Sequence, residues 1–156
     1  MAPFTAFDFL LYNDFRIWRI FRNFNRSGYG NYKPFKYPLR NMKTEDIKHL
    51  FSEFEDAASE IEGVECWSAR ELQALLGYNK WENFEKVIRK AKDACAIAGE
   101  QIEYHFPDVR KMIEAGKGAL HEIVDIALTR YACYLVAQNG DSRKIEIAFA
   151  QNYFAV

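Results

Sequence analysis

Apolar positions along the chain fall into helical stripes, broken by two stretches that alternate. Ile47, Leu50, Phe51, Phe54, Ala57, Ala58 and Ile61 recur at the spacing of one helix face, and Gly63 marks the expected end. Val64-Glu65-Cys66-Trp67 alternates and is rich in β-formers, which predicts a strand. Ser68-Ala69-Arg70-Glu71 has the form of a capping box, in which Ser and Glu satisfy each other's backbone N–H groups. It opens a short helix carrying Leu72, Leu75 and Leu76, stopped by Gly77. Asn79-Lys80-Trp81-Glu82 has the same form. The helix it opens turns Trp81, Phe84, Ile88, Ala91 and Cys95 inward and ends near Gly99.

Pro107 forbids a continuous helix across residues 100–129. Val109 to Ile113 and His121 to Ala127 fit a hairpin across Glu114–Gly118; the rival is a short helix over 107–115. From Leu128 the helical period returns with Tyr131, Ala132, Leu135 and Val136. Asn139-Gly140 is expected to stop that helix in left-handed conformations, and Asp141 or Ser142 to cap another. In the second helix Ile145, Ala148, Phe149 and Val156 share a side, and no stop signal follows. Its apolar face is therefore expected to find its partner in sequence beyond Val156. Together these elements predict an α+β fold: a helix-rich single domain with a small β-sheet or hairpin and a C-terminal helical hairpin.

Composition divides the chain in two. Residues 1–41 hold 12 of its 25 aromatic residues and seven Lys/Arg against two Asp/Glu, while 42–156 hold 14 against 20. Phe15, Trp18, Phe21 and Phe24 alternate with Arg16, Arg19 and Arg22. Such a segment can stack on single-stranded nucleic acid or lie on a membrane surface. The favoured reading is that Met42 is the natural start and that residues 1–41 are a non-native extension. Asp8 and Asp14 bracket the apolar Phe9-Leu10-Leu11 too closely for a membrane span. Cys66, Cys95 and Cys133 form no CxxC pair and fall on apolar faces, so they read as core in a cytoplasmic protein.

Little in the sequence points to catalysis. The histidines are scattered, His105 near Asp108 lacks a third group, and no phosphate-binding loop or HExxH is present. No metal or cofactor is expected. The candidates are binding residues. Lys86, Arg89 and Lys90 share a helix face suited to phosphate contact. The simpler alternative is a solvated face braced by Glu82–Lys86 and Glu85–Arg89 pairs. Gln138 and Arg143 beside the Asn139-Gly140 turn have no structural duty. Arg130 opens its helix against the dipole, which implies a carboxylate partner, Asp125 or Glu122, or a binding role.

Cys66 to Leu72, Leu75-Leu76-Gly77-Tyr78, Trp81 to Phe84, Val87 to Lys92 and Thr129 to Val156 together resemble the DNA-damage-inducible protein D (DinD) family. Within them, Arg130 to Asp141 is the most specific run. Trp67 to Tyr78 also resembles the BRO-N module of phage antirepressor-type proteins. The resemblance covers 42–156 and none of 1–41, and it implies that the chain is the amino-terminal part of a longer protein. It further implies a non-enzymatic protein of the bacterial SOS response. Its partners would be RecA filaments, single-stranded DNA or both, bound without catalysis. The alternative is a BRO-N transcriptional regulator on duplex DNA.

Overall fold

The computed structural model describes residues 43–155; the expectations for residues 1–41 and for Val156 lie outside them. Among the described residues six helices accompany one antiparallel sheet, so the fold is α+β. The helices are α1 (Thr44–Asp56), α2 (Ala69–Leu75), α3 (Trp81–Ile97), α4 (Ile102–His105), α5 (Arg130–Asn139) and α6 (Ile145–Tyr153). The strands are β1 (Ala58–Ile61), β2 (Val64–Ser68), β3 (Asp108–Ala115) and β4 (Ala119–Thr129), in sheet order β1-β2-β4-β3.

The first helix is shorter than its stripe suggests. It ends at Asp56, and Ala58–Ile61 is a strand paired with β2 in the register Ala58↔Trp67 to Ile61↔Val64. Glu62 (φ 52) and Gly63 (φ 80) both adopt left-handed conformations. Such a two-residue loop matches the twist of a hairpin. Gly63 therefore turns a hairpin rather than ending a helix, and Ile61 sits on an exposed strand.

Trp67 on β2 is the anchor of the core. It is fully buried, and its indole N–H donates to the Phe54 carbonyl at 2.8 Å. Phe154 packs edge-on against it with ring centroids 5.0 Å apart. The same buried cluster contains Phe54, Leu72, Leu76, Phe84, Leu128, Ile147 and Tyr153. Cys66, Cys95 and Cys133 are buried, as their apolar positions imply.

The capping expectations hold in part. Ser68 Oγ accepts the Glu71 N–H at 3.3 Å, but Glu71 pairs with Lys111 on β3 instead of returning to Ser68. Gly77 ends the helical stretch in a left-handed conformation (φ 69), as expected. Lys80, not Asn79, occupies the cap position of α3 and supplies no side-chain bond. The hairpin of β3 and β4 forms in place of the rival helix, with Ile113 opposite His121. Before it, α4 adds one turn that the sequence pattern did not indicate.

Two expectations about the C-terminal helices are corrected. Gly140 has φ −77 and ψ 171, ordinary extended backbone, and Asp141 does not cap α6, which starts after Lys144. What requires Gly140 is close approach: a Cβ there would lie 2.5 Å from Ile147 Cδ1. Ile147 is itself fully buried. Gly140→Ala is accordingly expected to cost about 1–3 kcal/mol by overpacking. Urea denaturation would show this as a lower midpoint with an unchanged slope; an unmoved midpoint would contradict the packing argument.

The face of α6 is the second correction. Ile147, Ala148, Phe149, Ala150 and Tyr153 are buried, while Ile145 is exposed. Among the described residues α1 covers that face: the Phe54 ring lies 5.3 Å from both Phe149 and Tyr153. The partner expected beyond the chain end is thus supplied by the first helix.

Candidate nucleic-acid interface

Helix α3 has two unlike sides. Phe84, Val87, Ile88, Ala91 and Cys95 are buried, and the helix packs along α5. Lys86, Arg89 and Lys90 point away from that core and are exposed. None of the three lies within ion-pair distance of a carboxylate among the described residues. The Glu82–Lys86 and Glu85–Arg89 bridges suggested by sequence spacing do not form. Three cations without a salt bridge within about two helical turns leave their donors to water or to an anionic partner.

The α5–α6 link docks at the amino-terminal end of α3. Tyr78 Oη accepts the Asp141 N–H at 3.3 Å, and Lys144 Nζ donates to the Gly77 carbonyl at 2.6 Å. The Tyr78 ring lies 5.3 Å from Phe84 of α3. These contacts seat Asp141 and Lys144, the neighbours of Arg143, against the Gly77-Tyr78 turn that precedes that helix. Gln138 is exposed on the last turn of α5 and makes no side-chain hydrogen bond among the described residues.

Arg143 is exposed but engaged. Its Nε donates to Asp141 Oδ1 at 2.9 Å and its Nη2 to Oδ2 at 2.8 Å, a bidentate pair. Asp141 also accepts the Arg143 backbone N–H at 3.1 Å. These bonds from Arg143 hold the Asp141 carboxyl down at about 2, below its ordinary 3.8. Because the folded-state value is depressed, the pairing contributes fully above the ordinary carboxylate range. It is lost as pH falls from about 4 through about 2. A carboxyl NMR titration is expected to show Asp141 titrating near 2 in the native chain and moving up toward 3.8 in Arg143→Ala. Identical midpoints would remove Arg143 as the cause.

Arg130 belongs to the core, not to this surface. Its Nε donates to Glu65 Oε2 at 2.8 Å, and Nη1 donates to the Tyr153 carbonyl at 3.2 Å. The guanidinium lies 5.1 Å from the ring centroids of both Trp67 and Tyr153. Its carboxylate partner is Glu65, 65 residues away, rather than Asp125 or Glu122. Nη2 is buried without a hydrogen-bond partner among the described residues, alongside these rings. Aromatic faces attract a cation electrostatically and offset part of that loss.

Asp125 was passed over in the sequence, apart from its naming as a partner for Arg130. It is 1% exposed and is the one buried charged residue of the described core. It accepts from the Ser68 hydroxyl, the Arg70 N–H at 3.3 Å and its neighbour Ile126 N–H at 2.8 Å. The carboxylate thereby ties β4 to the start of α2. A lone acid inside Ile123-Val124-Asp125-Ile126 was the available signal. His105 is structural too: Nδ1 lies 2.9 Å from Thr129 Oγ1, and the ring packs 4.8 Å from Tyr131. Among the described residues no group of His, Cys, Asp and Glu is arranged to hold a metal ion.

The profile of the BRO family N-terminal domain matches residues 58–155, well over half of the 156 residues. The chain belongs to the BRO family. Its matched region runs from β1 to the last described residue and so includes the sheet, α3 and the α5–α6 pair. This BRO-family chain is also similar to DNA damage-inducible protein D of Escherichia coli strain K12, with 48% identity over 94 residues. That alignment covers 60% of this chain and 34% of the relative, so the chain spans about a third of the relative's length. No solved structure matches the chain. No helix among the described residues is long and apolar enough to cross a membrane.

Proposed function

We propose that this BRO-family domain is a non-catalytic DNA-binding module of the cytoplasmic response to DNA damage. It contacts nucleic-acid phosphates through α3, and it limits RecA filaments on single-stranded DNA. The observation that carries the reading is the set of exposed, unpaired cations Lys86, Arg89 and Lys90 on one rigid helix. The name of the similar E. coli protein supports the setting in DNA damage. Gln138 and Arg143, both exposed beside the α5–α6 link, are the further contacts this reading assigns. Arg143 would have to release Asp141, or present only its outer edge, to meet a phosphate.

An antirepressor-like regulator on duplex DNA is the second reading, favoured by the length of α3. Seventeen residues suffice for a helix laid in a major groove. Its outward side also bears Glu82 and Asp93, however, which groove phosphates would repel. This disfavours deep insertion and fits a lighter contact with backbone or filament.

The test incubates the full chain with preformed RecA filaments on single-stranded DNA, with bare single strands and with duplex. Filament loss, read by light scattering, together with preference for single strands is the expected outcome. Tight duplex binding with filaments untouched would favour the regulator instead.

A further inference from the structure

The outer edge of the sheet carries an inference of its own, independent of the DNA reading. The β3–β4 hairpin reaches past the helices, so that Met112, Leu120 and Val124 are exposed although the register sets them on one face. Among the described residues, strand order leaves β3 with no neighbour on its far side. An eight-residue open edge of this kind is a ready template for another strand.

One hydrogen bond fixes which residues face outward. The Ala127 N–H donates to the Pro107 carbonyl at 2.9 Å, and these two residues continue the register of Asp108↔Ile126. Opposed residues of an antiparallel ladder alternate between pairs that exchange hydrogen bonds and pairs that do not. Odd positions of β3 therefore turn their backbone groups toward β4. Even positions, Arg110, Met112 and Glu114 among them, turn N–H and C=O toward the open side.

We propose that this edge pairs antiparallel with β3 of a second copy of the chain, about a two-fold axis at Met112. That register brings Met112 opposite Met112, Arg110 opposite Glu114 of the second copy, and Glu114 opposite its Arg110. All of these are outward-facing residues, so each pair exchanges both backbone hydrogen bonds. All lie on the face that carries Val124 and Leu120. Opposite charges and apolar side chains meet across the junction, the pairings that stabilise a sheet. Neighbouring registers are poorer: an axis at Lys111 opposes Lys111 with itself, and an axis at Ile113 sets Met112 against Glu114. Lys111 does not block the edge, because it is drawn to Glu71 on the other face. Arg110 already leans on Glu122 at 3.2 Å while keeping its exposure. An isologous contact of this kind closes on itself as a dimer.

Analytical ultracentrifugation of the full chain tests this. The contact is small, so dimer is expected to dominate at roughly 100 µM and to give way to monomer at roughly 1 µM. Met112→Pro deletes one outward N–H and leaves the bonds to β4 intact, so it is expected to give a folded monomer. Arg110→Glu and Glu114→Arg should each be monomeric alone, because each opposes like charges. Their equimolar mixture should regain the dimer, with circular dichroism confirming that each variant is folded. A native chain that stays monomeric throughout would overturn the proposal. So would a dimer that survives Met112→Pro, or a mixture of charge variants that stays monomeric.

Discussion

Replacing Trp67 by Ala is expected to destabilise the domain by about 4 kcal/mol. Three losses combine at this position. A fully buried indole leaves a cavity bordered by Tyr153 and Phe154. The Phe54 carbonyl loses the donor it held at 2.8 Å. The Arg130 guanidinium loses one of the rings beside it while remaining tied to Glu65. Domains commonly have only about 5–15 kcal/mol of total stability, so the variant should be marginally folded. Urea denaturation followed by far-UV circular dichroism gives the value, and Trp67→Phe should recover about half by refilling the space. A loss below about 1 kcal/mol would mean that Trp67 does not anchor the core.

Reversing Lys86, Arg89 and Lys90 together to Glu is expected to weaken binding to a single-stranded oligonucleotide by roughly 100-fold or more near 0.1 M salt. The side chains are exposed and lack ion-pair partners among the described residues, so no buried contact is lost. Like charges four residues apart, with Glu82, Glu85 and Asp93 nearby, should cost about 1 kcal/mol and leave the domain folded. Fluorescence anisotropy checks the affinity, and the urea midpoint checks that the fold is intact. Gln138→Ala should have a much smaller effect, because an uncharged side chain adds little to a phosphate contact. An affinity unchanged in the triple variant would remove α3 from the interface.

How far the sequence foretold this structure depends on the range of each interaction. The β3–β4 hairpin was legible because alternation and the Gly-Lys-Gly tip are local signals. So was the inward side of α3, whose buried residues keep helical spacing over several turns. The first hairpin was not, because Ala57, Ala58 and Ile61 continue the helical period of α1 while the chain has already turned into β1. Only the left-handed pair Glu62-Gly63 decides between the two. Gly140 was identified as necessary for the wrong reason: its close approach to Ile147 depends on how α6 packs. Arg130 found Glu65, and Phe54 found α6, across separations that no periodicity encodes. At the candidate surface the sequence placed the cations correctly on one helix face. It could not show that their neighbouring carboxylates stay beyond ion-pair distance, because that depends on side-chain conformation and not on spacing.

The most direct measurement compares the salt dependence of single-stranded DNA binding for the native chain and for Lys86→Ala/Arg89→Ala/Lys90→Ala. Each phosphate contact on a single strand contributes about −0.7 to the slope of log K against log salt. The basic residues 1–41 contribute equally to both proteins and cancel in the comparison. If α3 holds three phosphates, the variant's slope should be shallower by about 2 between roughly 50 and 200 mM salt. Parallel lines for the two proteins would contradict the account.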